Sequence, residues 1–109
     1  MKMIACMSRR LNEGVDYATF RKGWIPDETV EDDPRTQVIS AIGLEDPRDL
    51  LTVVIMEDAD PADLPGWMER LGPVEERRHD RIKDLVSEPT LNAIYQVVAE
   101  DDLSKPIAQ

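Results

Sequence analysis

The sequence has a single cysteine and a single histidine among its 109 residues. With only Cys6 there is no disulfide framework and no thiolate metal cluster, and a lone thiol suits a reducing cytoplasm. Basic residues are also scarce, 13 against 23 acidic ones, for a net charge of −10. Such a chain repels phosphate backbones and anionic bilayers, which argues against nucleic acid and membrane as partners. Hydrophobic runs are short. The N-terminal "MKMIACMSRRL" has one lysine and then the apolar stretch Met3–Met7, too short for a signal-peptide core or a bilayer span. There is no HExxH, no glycine-rich phosphate loop and no GxSxG. The acidic clusters "DETVEDD", "EDAD" and "AEDD" lack the spacing of a calcium loop. No metal and no cofactor is expected. Neither an internal repeat nor a low-complexity tract is present.

Hydrophobic residues make up 41% of the chain, enough for the core of one domain spanning residues 1–109. "MIACM" reads as a buried strand continuing to about Leu11, with Cys6 an inert buried thiol. "NEG" then turns the chain. "VDYATFRKGWIP" predicts a helix capped by Asp16 and stopped by Pro26, with Val15 stapled to Phe20. Tyr17, Phe20 and Trp24 share one face of it. The five carboxylates of residues 27–35 mark an exposed loop. The β-rich runs 36–44 and 49–56, separated by a turn, predict a hairpin. In residues 57–72 two prolines and two glycines leave room only for short helical turns. Gly72-Pro73 then closes one segment and opens the next, a helix from Pro73 to about Ser87. Residues 90–101 give the last strand. The order is β-α-β-β-α-β: an α+β, ferredoxin-like arrangement with a four-stranded antiparallel sheet and both helices on one face.

The strands are apolar on both sides. Leu51, Val53 and Ile55 lie on one face of their run, and Leu50, Val54 and Met56 on the other. Leu91, Ala93, Tyr95, Val97 and Ala99 are opposed by Ile94 and Val98. Two helices cover one face only, and large exposed apolar patches are rare on monomers. A second copy packed sheet to sheet about a two-fold axis resolves the conflict and predicts a homodimer. In element order, length and two-faced strands, from "MIACMSRRL" to "NAIYQVVAEDDL", the chain resembles the dimeric α/β-barrel superfamily, and in particular the small antibiotic-biosynthesis-monooxygenase-like domains. The resemblance implies a homodimeric barrel. It also implies a range of activities that includes cofactor-free oxygenases, haem-degrading enzymes and isomerases, alongside members with no known reaction; fold does not choose among them.

His79 heads the candidate site residues. With residues at ~100° intervals from Val74, Leu85, Ile82 and Val86 fall near ~20°, ~80° and ~120°, and His79 near ~140°, on the flank of the apolar stripe. There it serves either as a general base for a ligand in an adjacent crevice or as a surface histidine partnered by Glu75 or Lys83. Haem-degrading relatives use a tryptophan, a later histidine and a first-strand asparagine. Trp67 and His79 occur in that order here, but the first strand offers Cys6, Met7 and Ser8, and Asn12 lies beyond its end. Arg78, near ~40°, is almost central to the stripe, so it snorkels, pairs with a carboxylate, or holds an anion at a cavity. Trp24, Trp67 and Tyr95 are core or rim residues, or the apolar walls of a ligand site. The sequence therefore supports two functions. One is a homodimeric monooxygenase-like enzyme or binding protein for a small apolar or aromatic ligand, with His79 catalytic and Trp67, Arg78, Trp24 and Tyr95 binding. The other is a non-catalytic assembly module.

Overall fold

The computed structural model describes residues 1–106 of the chain. The elements are β1 (Met3–Arg10), α1 (Tyr17–Trp24), β2 (Gln37–Ile42), β3 (Asp49–Met56), a 3-10 turn (Pro61–Asp63), α2 (Leu64–Ile82) and β4 (Leu91–Gln96). The strands form one sheet in the order β2-β3-β1-β4, with all neighbours antiparallel. This is the ferredoxin-like arrangement expected from the sequence. The two strands nearest the middle, β1 and β3, are the longest and carry the buried residues of the sheet, Met3, Leu50, Thr52 and Met56.

Local chemistry explains the first helix. The Asp16 carboxylate accepts from the Thr19 backbone N–H at 2.8 Å, so one orphan donor of the first turn is satisfied. Phe20 is buried, flanked on the same face by Tyr17 and Trp24 with ring centroids 6.1 and 6.3 Å away. Val15 packs against this cluster, as a staple should. At the other end, the Arg81 guanidinium donates to the carbonyls of Gly23 and Ile25, both at 3.0 Å, and so closes the helix C-terminus from α2. Gly23 makes this approach feasible: a Cβ there would lie 3.2 Å from Ile82 Cγ2 and 3.3 Å from the Arg81 carbonyl.

The second helix departs from the sequence expectation. It is one helix from Leu64 to Ile82 with Pro73 in its interior, and Gly72 has ordinary right-handed backbone. Trp67, Leu71, Val74 and Ile82 are buried along it, recurring at three- and four-residue multiples on one stripe. Continuous burial on both sides of Pro73 outweighs the single backbone hydrogen bond that its missing N–H forfeits. The helix also stops earlier than Ser87. Leu85 donates back to the Ile82 carbonyl, and Val86 forms an isolated bridge with Leu11. β4 ends at Gln96 rather than near residue 101; past it one backbone hydrogen bond continues the pairing, from the Val97 N–H to the Lys2 carbonyl at 3.0 Å, where the N-terminal strand runs out.

Strand register sorts the side chains. Met3, Ala5, Met7 and Arg9 of β1 share a face with Leu50, Thr52, Val54 and Met56 of β3, and the helices cover that face. The opposite face carries Ile4, Cys6, Val53, Ile55 and Ala93 half-buried, with Ile39, Leu51, Leu91 and Tyr95 exposed. Cys6 is thus half-buried on the uncovered face rather than sealed in the core. The buried core itself falls into three clusters. Leu11, Phe20, Leu50 and Ile82 form one, Met3, Met56 and Ala59 another, and Trp67, Leu71 and Val74 a third, along the first half of α2.

Candidate functional site

The core is divided because the middle of the covered sheet face is built from small or polar side chains. The register places Ser40, Thr52, Met7 and Asn92 in one row across all four strands, and Val38, Val54, Ala5 and Ile94 in the next. Three of the four residues in the first row are polar, and Ala5 is too short to reach the helix layer. The space left between sheet and helices is a cleft of about 550 Å³, open to solvent on one side. That is within the usual range for small-molecule sites, of order 300–1,000 Å³. Ala5, Val54, Thr52 and Ser40 form its floor, Tyr17, Trp24 and Pro26 one wall, and Arg35 and Arg78 another.

The polar part of the wall is a chain of ion pairs. Asp33 holds Arg35 in a bidentate fork, with N–O distances of 2.6–3.0 Å. Arg35 Nη1 lies 3.5 Å from Glu75 Oε1, and Arg78 donates to the other oxygen of the same carboxylate. Aromatic faces back both guanidiniums: Arg35 lies 5.3 Å from the Trp67 ring centroid and Arg78 5.4 Å from that of Trp24. Burial disfavours the charge on Asp33, yet the hydrogen bonds from Arg35 prevail and hold its carboxyl below the ordinary value. Burial also works against Arg35, whose pairing with Asp33 and then Glu75 nevertheless raises its pKa. For Arg78 burial wins and lowers it, with Glu75 only partly compensating.

The structure scatters the residues singled out from sequence. Arg78 and Trp24 meet in the cleft wall. Trp67 is buried behind Arg35 and faces a second, acidic recess lined by Asp58, Asp60 and Asp63. His79 is exposed and lines a hollow of about 60 Å³ with Ile82, Lys83 and Val86, which shares Arg9 alone with the lining of the cleft and is too small for an aromatic ring. The continuity of α2 through Pro73 explains this separation. Twelve helical residues carry His79 roughly 18 Å along the axis from Trp67, so the two cannot wall one small pocket. Tyr95 is in register with Ile4 on the uncovered face and lies across the sheet from the cleft. Among the described residues, no three His, Cys, Asp or Glu side chains converge as a metal would require.

Three residues of the cleft escaped sequence reasoning: Arg9, Arg35 and Asp33. Residues 27–35 look like a solvated acidic loop, but Asp33 and Arg35 fold inward and are half-buried. No local pattern reveals that. Arg9 did leave a signal. Strand alternation puts it in phase with Met3, Ala5 and Met7, so a charge falls on the face the helices cover.

No protein-family model and no curated protein sequence matches the chain. Among solved structures, it is similar to a candidate antibiotic biosynthesis monooxygenase from Chloroflexus aurantiacus, with a TM-score of 0.62 at 10% identity over 94% of this chain and 99% of that one. A second candidate antibiotic biosynthesis monooxygenase, from Bordetella bronchiseptica, gives 0.48 at 16% identity over 90% and 98%. No helix of the described residues is long and apolar enough to cross a membrane. The chain has the ferredoxin-like fold of the antibiotic-biosynthesis-monooxygenase-like domains.

Proposed function

We propose that the chain is a single-domain homodimeric protein that binds a small apolar or aromatic molecule between sheet and helices, and that it acts on this molecule in the cofactor-independent manner of a monooxygenase. The observation that carries the reading is the cleft, which interrupts the core where a purely structural module would fill it. Trp24 and Tyr17 offer planar apolar surface, and the Ser40–Thr52–Asn92 row offers hydroxyl and amide groups to orient a ligand. The activity comes from the Chloroflexus neighbour's description and from the family resemblance. In this reading Arg78 and Trp24 belong to the site, Trp67 supports it through Arg35, and His79 and Tyr95 stand outside it. The uncovered face, with Ile39, Leu51, Leu91 and Tyr95 each more than a third exposed, is where a second copy would pack. The single thiol suits a reducing cytoplasm.

Two measurements test this. Sedimentation equilibrium at micromolar concentration should give a dimer, and the interface should bury more than ~1,200 Å² in total; a monomer would remove the assembly. Planar aromatic probes such as 2-naphthol should bind and quench tryptophan fluorescence, with about tenfold or greater loss of affinity in Trp24→Ala. Equal binding by that variant would place the ligand elsewhere.

A further inference from the structure

The chain has far more acids than bases, so a carboxylate is readily found for any arginine that needs one. Four arginines are half-buried: Arg9, Arg35, Arg48 and Arg78. Arg35 and Arg78 share Asp33 and Glu75, and Arg48 Nε donates to the Leu11 carbonyl at 2.9 Å. Among the described residues, only the Arg9 guanidinium of these four has neither an ion pair nor a hydrogen bond. Its Nη1 is buried without a partner, and its guanidinium carbon lies over the Phe20 ring, 5.9 Å from the centroid. Its charged neighbour across the cleft is another cation, Arg78, and both groups line the same space. Glu75 and Glu88 each exert a weaker pull than the Arg78 repulsion, and neither reaches hydrogen-bond or ion-pair distance. An unpaired charge on the covered face of a central strand is a standing cost to folding. Four arginines line the cleft, Arg9, Arg21, Arg35 and Arg78, against Asp33 and, behind the lining, Glu75, so the cleft wall is positive inside a protein whose net charge is −10.

We infer that the ligand of this cleft carries a carboxylate, which Arg9 holds with help from Arg78 while the planar apolar body lies over Ala5 and Val54 against Trp24. This deepens the reading of the cleft as a ligand site and rests on it. A carboxylate would supply the acceptor that Arg9 lacks, in the planar two-oxygen geometry that a guanidinium fork matches. It would also relieve the repulsion between Arg9 and Arg78. The chain's overall negative charge disfavours anions at long range, so the selectivity is local, set by partly desolvated arginines rather than by steering.

A matched pair of probes tests the inference: 2-naphthoate and 2-naphthamide, titrated calorimetrically at pH 7 against the wild-type protein, Arg9→Met and Arg9→Lys. The expected result is naphthoate binding about 10- to 100-fold tighter than the amide. In Arg9→Met that preference should shrink to within a few-fold, and the melting temperature of the ligand-free variant should equal or exceed that of wild type, because an unpaired buried charge has been removed. Arg9→Lys keeps the charge without the fork and should retain part of the preference; it also serves if Arg9→Met does not fold. Equal affinity for acid and amide in the wild type overturns the carboxylate assignment while leaving the cleft as a binding site. A preference that survives in both variants also overturns it. If neither probe binds at millimolar concentration, the cleft reading fails and the inference falls with it.

Discussion

Replacing Pro73 with alanine separates two accounts of the second helix. If residues 64–82 form one helix, Pro73 lacks the N–H that would bond to the Glu69 carbonyl, and its ring crowds that carbonyl. An interior proline costs about 3 kcal/mol relative to alanine. Part of this is returned because proline also restricts the unfolded chain, by roughly 1 kcal/mol. Position 73 is exposed, so the substitution creates no cavity. Pro73→Ala should therefore stabilise the protein by about 2 kcal/mol, or raise the melting temperature by about 10 °C for a chain of this size. Gly72→Ala gives a second arm. Gly72 has no atom near the position of an added Cβ and no positive φ, so alanine should add about 1 kcal/mol. Thermal unfolding followed by circular dichroism at fixed protein concentration measures both. If the helix were instead divided at this point, Pro73 would sit at a first helical position where it is favourable, and Gly72 would cap the preceding segment. Both substitutions would then be neutral or destabilising, and that outcome would refute the continuous helix.

Phe20→Ala should lose about 3–5 kcal/mol in denaturant unfolding, since Phe20 is fully buried at the centre of the Leu11–Leu50–Ile82 cluster. Asp33→Asn should change the pH dependence of stability in acid. The Asp33 carboxyl is held below its ordinary 3.8, so its contribution is fully present above about pH 4 and disappears as the pH falls through the lowered native value. Urea unfolding at several pH values should show the wild-type advantage constant near neutrality and vanishing at low pH; an advantage that grows on acidification would contradict the ion pair. His79→Ala should shift stability by less than ~0.5 kcal/mol, as expected for an exposed helix residue, and leave 2-naphthoate affinity unaltered. A sharp loss of binding would return the histidine to the site.

Much of the architecture depends on interactions between residues close in sequence. Asp16 caps the helix it begins and Arg81 meets the end of the same helix from α2, but only the first of these is a local contact. The aromatic stripe Tyr17–Phe20–Trp24, the hairpin strands and the two-faced β-branched runs follow from periodicity, and together they specified the β-α-β-β-α-β order. The uncovered apolar face, too, follows from alternation and a count of helices. Helical continuity at Pro73 was decided by tertiary structure, because it depends on Trp67 and Leu71 being buried by the same body that buries Val74 and Ile82. So was the separation of Trp67 from His79, which is a consequence of that continuity. The inward turn of Asp33 and Arg35 depends on Glu75 and the Trp67 ring, which belong to a helix much later in the chain. That Arg9 points to the covered face was legible from strand phase. That it has no partner there was not, because the absence of a carboxylate beside it is a property of four other elements, and no stretch of sequence contains it.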